Sequence, residues 1–174
     1  RENPYQLHQS LGEIMLANVL IVRDNQSLEK ALHDIEDIED RFQDVKCIDT
    51  TDWSNPSPSF INQLYCMIHL SKIITKGALK RDEFRGSHYK EEYDLKQPKD
   101  FDPHEYIDYL EEKQYGDISE NKFPPGHLDY MKRFEENNVK WLRTTIAEYK
   151  DNKPDITYEE VNTSLITPRP RKYD

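Results

Sequence analysis

Apolar positions recur at helical spacing through the first half of this chain. Leu7, Leu11, Ile14, Asn18 and Ile21 fall 4, 3, 4 and 3 residues apart, one face of a helix, and Met15 and Val22 widen that face. Asn3-Pro4-Tyr5-Gln6 supplies the start: Asn3 as the cap, Pro4 at the first helical position, Gln6 at the capping-box position. Asn18, on the stripe, reads as a satisfied core amide. The pattern breaks at Asp24-Asn25-Gln26-Ser27, and Ser27 is the expected cap of a second helix, with Glu29 in its first turn. There Leu28, Leu32, Ile35, Ile38 (or Glu39), Phe42 and Val45 keep close to a heptad. The back of the helix is acidic, with Asp34, Glu36, Asp37, Glu39 and Asp40, and reads as a solvated face of a bundle helix. Residues 47–58 are a linker rich in Asp, Thr, Ser and Pro, ending in the cap-then-proline signal Ser57-Pro58. The third helix, over residues 60–79, is apolar on more than one face and is expected to be the most buried of the three. His69 inside it reads as a core or boundary histidine.

That helix runs into Lys80-Arg81-Asp82-Glu83-Phe84-Arg85-Gly86-Ser87-His88-Tyr89, which holds one of five glycines among alternating charges. Spacing alone predicts a helix exit with a solvated charge cluster, turned by Gly86. Further on, Asp102-Pro103-His104-Glu105 repeats the cap, proline and capping-box pattern and opens a short helix through Tyr106, Ile107 and Leu110. Phe123-Pro124-Pro125-Gly126 ends it. Leu128, Met131 and Phe134 mark another short helix that fades at Asn137-Asn138. Aliphatic residues are few over 90–139, which reads as an insertion lying on a surface, and neither His104 nor His127 has spacing that demands a metal. From Trp141 to Tyr149 the period changes to two. With turn material at 150–154 and Ile156, Thr157, Tyr158 and Val161 beyond it, a β-hairpin is predicted. The tail, residues 168–173, is basic and proline-rich and excludes regular structure. The expected architecture is mainly α. An antiparallel three-helix bundle of the spectrin-repeat kind and its exit segment occupy 1–89, a helical insertion 90–139, and a β-hairpin with the tail 140–174.

Composition narrows the function classes. A net charge of −10 disfavours a nucleic-acid surface, since phosphates repel an acidic face. No apolar run approaches the roughly 18–20 residues that span a bilayer. No secretory leader is read, and a chain beginning at Arg1 is expected to be processed or a piece of a larger one. Hydrophobic content is only 35 %, so part of the stability is expected to come from a partner surface; eleven tyrosines and two tryptophans argue for order. Cys47 and Cys66 lack metal-ligand spacing and read as plain thiols. Neither GxGxxG nor GxxxxGK[ST] occurs, nor HExxH, nor GxSxG. No catalytic, cofactor-binding or metal-binding residues emerge. The residues alone point to an interaction or structural unit, with a stand-alone acidic helical interaction module as one reading.

A second reading rests on three motifs and a shorter match in order. Residues 77–89 resemble a segment of the flavoprotein subunit of succinate dehydrogenases and fumarate reductases. That family carries Arg-x-Glu-Ser-Arg-Gly-Ala-His after the third helix of its C-terminal bundle. Arg81, Glu83, Arg85, Gly86 and His88 match, while Phe84 stands for the usual Ser and Ser87 for the usual Ala. Residues 141–147 are similar to the family's Trp-Leu-Lys-His/Thr-Thr, residues 168–173 to its Pro, basic, Tyr terminus, and residues 27–32 also look familiar. L-aspartate oxidases share the Glu-Ser-Arg-Gly-x-His segment, but the hairpin and tail fit the dehydrogenase and reductase side. The resemblance implies a C-terminal helical domain packed on the FAD-binding domain of the same chain. Arg81, Glu83, Arg85, Gly86 and His88 become candidate interface residues. The implied parent interconverts succinate and fumarate by hydride transfer to FAD and passes electrons to an iron–sulfur subunit and quinone. FAD and the dicarboxylate would be held outside these residues, which should be inactive alone. The helical insertion suggests the subtype with a cytochrome b membrane anchor, on the cytoplasmic face of a bacterial inner membrane.

Overall fold

The first helix starts where the sequence predicts. Asn3 is extended, and its side-chain oxygen accepts from the Tyr5 N–H at 3.0 Å, ahead of α1 (Pro4–Asn18). In this computed structural model, residues 2–47, 49–116, 118–119, 122–151 and 153–171 are described. The elements that follow are β1 (Val22–Arg23), α2 (Asn25–Phe42), α3 (Ser57–Lys80), β2 (Tyr89–Lys90), α4 (Glu105–Lys113), α5 (His127–Trp141), β3 (Arg143–Lys150) and β4 (Lys153–Glu160). The fold is mainly α, with β3 and β4 forming the expected hairpin. The chain divides into two compact units. One comprises Arg1–Tyr93 with Thr145–Thr157, the other Asp94–Thr144 with Tyr158–Asp174.

In the first unit, α1, α2 and α3 pack together. Their core holds Leu7 and Leu11 from α1, Ile35 and Ile38 from α2, and Leu64 and Ile68 from α3. Val19, Leu28, Ala31 and Ala78 form a second cluster. In α2 the buried residues are Leu28, Ala31, Ile35 and Ile38, at a/d-like spacing; on its acidic back Glu36, Asp37 and Asp40 are exposed, while Glu39, read with them as solvated, instead bonds Lys72 of α3 at 2.6 Å. Asn18 is half-buried and donates to the Ile14 carbonyl at 3.1 Å, as a satisfied amide should.

Several boundaries differ from expectation. Asp24, not Ser27, caps α2. Asp24 is extended and its carboxylate accepts from the Ser27 N–H at 2.8 Å, placing Ser27 inside the first turn. A charged oxygen there also opposes the helix dipole. α3 begins at Ser57, whose N–H donates to Asn55 Oδ1 at 3.0 Å, so the cap-then-proline signal falls one residue too late. α1 ends at Asn18, and Ile21, expected on its apolar face, is half exposed. α3 is not sheathed in core either. Leu64, Ile68 and Ala78 are buried, but Tyr65, Met67, Leu70 and Ile74 face out.

In the second unit an aromatic core replaces the missing aliphatics. Phe101, Tyr106, Tyr109, Phe123, Leu128, Tyr130 and Met131 are buried together, with Phe134 packed against them. Phe101 meets Tyr130 edge-on at 4.9 Å, and Tyr106 meets Phe134 likewise at 5.0 Å. α5 runs through Asn137-Asn138 to Trp141, although the pair predicts its end. Trp141 is buried with its ring edge-on to Tyr158 at 5.7 Å, so burial of the helix's last residue overrides the weak propensity of two asparagines. The turn residue Asn152 and the tail residues Lys172 and Tyr173, on which the sequence reading drew, lie outside the described residues.

Candidate functional site

The exit segment folds into a clasp of buried ions. After α3 the chain extends through Arg81, and Arg85 and His88 pair by two backbone bonds, Arg85 N–H to His88 C=O at 3.0 Å and the reverse at 3.1 Å. Gly86 turns the chain between them at φ 59°. That left-handed angle at the first central residue is open to glycine and strained for others. A Cβ there would touch nothing, so the requirement for glycine is one of backbone angle alone.

Glu83 is fully buried and held from both sides. Arg81 Nε donates to its Oε1 at 2.5 Å and Arg85 Nε to its Oε2 at 2.8 Å. Arg81 also reaches the hairpin, donating to Thr145 Oγ1 at 3.1 Å. A buried carboxylate is tolerated when charge-assisted bonds replace its water, and here both oxygens have them.

His88 is half-buried, with both ring nitrogens engaged. Nδ1 lies 2.6 Å from Arg23 Nη1 and Nε2 lies 2.7 Å from the Arg81 carbonyl. A guanidinium only donates, so Nδ1 accepts and Nε2 carries the proton. Burial lowers the His88 pKa; the Arg81 carbonyl opposes this, and the positive charges of Arg23 and Lys90 add to the lowering. Arg23 itself donates to the Val19 and Leu20 carbonyls at 2.7 and 2.9 Å, just beyond α1.

Lys90 is the residue that sequence reasoning missed. It is completely buried, and its ammonium donates to Asn25 Oδ1 at 2.7 Å, Asp82 Oδ1 at 3.0 Å and the Leu79 carbonyl at 3.1 Å. The last bond caps the C-terminal end of α3, where a cation suits the dipole. A lysine placed ten residues after a helix end in a short polar segment was the available signal. Burial raises the Asp82 pKa, but the bonds from Lys90 and Asn25 outweigh it and the net shift is downward. β1 and β2 pair in parallel, Val22 with Tyr89 and Arg23 with Lys90, so the backbone joins the same two segments. All five sequence-predicted residues, Arg81, Glu83, Arg85, Gly86 and His88, thus sit in one structure, and the cluster read as solvated is largely internal.

The other histidines separate. His69 Nδ1 lies 3.0 Å from the Tyr149 hydroxyl and 3.5 Å from Glu39 Oε1, a carboxylate supplied by α2. His127 is buried, with Nδ1 2.8 Å from Glu105 Oε2 and Nε2 3.2 Å from Asp100 Oδ1. His104 is exposed and is not among its partners. Burial lowers the His127 pKa, but the two carboxylates outweigh it and the net shift is upward. Among the described residues no group of three or more His, Cys, Asp or Glu is placed to hold a metal. A surface groove of about 520 Å³ in the second unit is lined by Ile107, Leu110, Glu111, Lys113, Gln114 and Thr167. It offers neither a glycine-rich turn nor a helix N-terminus for a diphosphate, so these residues do not fit a flavin dinucleotide.

The class defined by these observations is a helical domain with a hairpin, whose charged groups hold its own corner closed. Comparison with known proteins places it further. The family described as "Fumarate reductase flavoprotein C-term" matches residues 8–173. The succinate dehydrogenase flavoprotein subunit of Bacillus subtilis is 34 % identical over 99 % of this chain and 23 % of its own length. The fumarate reductase flavoprotein subunit of Helicobacter pylori is 24 % identical over 93 % of the chain and 18 % of its own length. A solved structure of E. coli quinol fumarate reductase FrdA, an E245Q variant, shares the fold with a TM-score of 0.56 at 17 % identity, over 96 % of this chain and 22 % of that one. The chain belongs to the family of C-terminal domains of succinate dehydrogenase and fumarate reductase flavoproteins. It spans about a quarter or less of the length of these relatives.

Proposed function

We propose that this chain is the C-terminal helical domain of a flavoprotein subunit that interconverts succinate and fumarate. Its part is to pack on the FAD-binding domain of the same subunit; it supplies no catalytic group. The observation that carries the reading is the family match over residues 8–173 in a chain that covers 23 % of a succinate dehydrogenase flavoprotein. The apolar residues left outside the core support it. Met67, Leu70 and Ile74 fall 3 and 4 residues apart on α3, and Leu16, Leu20, Ile21 and Val22 are exposed at the end of α1. Such rows on a small charged domain suit a covered surface. In this reading residues 1–89 form an antiparallel three-helix bundle of the spectrin-repeat kind. Residues 90–139 are an insertion, and 140–174 a hairpin and tail. Of the candidate interface residues, Glu83 and His88 shape the clasp from within, while Gly86 is exposed and the Arg85 side chain is 33 % exposed, so the turn tip is the part a neighbouring domain touches. The parent holds FAD in its other domains and passes electrons to an iron–sulfur subunit. A cytochrome b anchor carries the complex on the cytoplasmic face of a bacterial inner membrane.

The test is complementation. The subunit truncated before this chain is co-expressed with the chain supplied separately, and flavin absorbance is read on the purified material. The reading expects the two pieces to co-purify with flavin, and Leu70→Glu with Ile74→Glu to abolish co-purification. A truncated subunit that retains flavin and turnover without the chain would refute it.

A further inference from the structure

We infer that His88 is a pH-operated latch. As a neutral imidazole protonated at Nε2 it ties Arg23 to the Arg81 carbonyl, and uptake of a proton from solvent at Nδ1 expels Arg23 and frees the α1–α2 corner from the exit segment. Arg23 Nη1 stands 2.6 Å from Nδ1, a position that accepts a hydrogen bond only while unprotonated. An N–H there would set donor against donor and cation against cation. Arg23 cannot simply step aside, because Nε and Nη2 hold the Val19 and Leu20 carbonyls. Its backbone is paired with Lys90, and the Tyr89 N–H donates to the Ile21 carbonyl at 3.2 Å. Expelling the guanidinium therefore strains the corner and the short parallel ladder together.

The two cations that face His88 agree in direction. The corner contributes Arg23 and the exit segment Lys90, both opposing a second positive charge. Lys90 is fixed by Asp82, and by the uncharged Asn25 of α2. The carboxylate of the segment, Glu83, favours the imidazolium, but its two oxygens are held by Arg81 and Arg85. A latched imidazole that resists protonation closes the corner fully above the ordinary value of 6.5 and loses grip as pH falls below it. Each pH unit between the released and latched values shifts the open-to-closed ratio about tenfold.

Hydrogen exchange read by mass spectrometry on the full chain, corrected for the intrinsic pH dependence, tests this from pH 7.5 to 5 in peptides covering 19–25 and 87–92. Wild type should lose protection in both peptides about tenfold per pH unit below about 6.5 until the latched value is passed. His88→Asn, which offers Arg23 an oxygen and cannot titrate, should keep its protection flat. Flat protection in wild type, or a fall in His88→Asn equal to that of wild type, would overturn the latch. Should the Asn variant fold poorly, nitrogen-15 spectra of histidine-labelled wild type decide the matter. Nδ1 unprotonated at pH 7.5 is expected, and an Nδ1–H tautomer would overturn the proposal.

Discussion

Glu83→Gln removes one charge and almost no volume, and its consequence follows from burial. Glu83 is fully buried, and its two oxygens receive Arg81 Nε at 2.5 Å and Arg85 Nε at 2.8 Å. A glutamine can offer only one oxygen, and turns an N–H toward the other guanidinium. Breaking a buried pair from one side costs about 3–5 kcal/mol, because the partner charges stay desolvated. Here the arginine side chains are 16 % and 33 % exposed, so water relieves them in part and the lower end, about 3 kcal/mol, is appropriate. At roughly 2–4 °C per kcal/mol for a chain of this size, Tm should fall by about 6–12 °C. Circular dichroism melts of wild type and variant read this directly. Adding Arg85→Gln to Glu83→Gln should restore part of the loss, because one stranded cation is removed as well. A Tm change within about 2 °C, or a double variant less stable than the sum of its singles, would show that the clasp does not hold the exit segment.

Other consequences test separate parts of the account. Gly86→Ala meets no atom within 4 Å but must hold φ 59°, so a loss of about 1–2 kcal/mol is expected in urea titration, with no change in the slope. Asp24→Ala should lose about 1 kcal/mol by the same assay and Ser27→Ala a few tenths, since the Asp24 carboxylate caps α2. His127 makes an opposite pH signature in the second unit. Its folded ring binds a proton more tightly than the unfolded ring, so the stability it adds is full below about pH 6.5 and fades as pH rises through the folded value. Fluorescence of the buried Trp141 during denaturation at pH 5.5 and 8.5 should show this loss, and His127→Gln should remove the difference.

Local signals in the sequence translated well into local structure. Asn3-Pro4 begins a helix, the heptad of Leu28, Ile35 and Ile38 is the buried face of α2, and the change of period read from Trp141 is a hairpin whose first strand starts two residues later, at Arg143. The misses have physical causes. Asp24 and Ser27 both make good caps, and only the extended backbone at Asp24 decides between them. The exposed row on α3 reads as core because a periodic count cannot tell a face buried within this chain from one left for another surface. The aromatic core of the second unit was hidden by counting aliphatics. At the candidate site the five motif residues were legible through resemblance, but their partners were not. Arg23 meets His88 across 65 positions and Asn25 meets Lys90 across the same separation, and no local pattern encodes such a contact. Only the fold brings three oxygens, from Asn25, Leu79 and Asp82, around the Lys90 ammonium.

The most direct test is succinate-dependent reduction of an artificial electron acceptor by the longer flavoprotein polypeptide proposed to carry this chain. It is measured with the chain intact and with it deleted. A flavin absorption band and turnover are expected in the intact polypeptide, with loss of turnover on deletion. A polypeptide without flavin, or one whose turnover survives deletion unchanged, would contradict the proposed function.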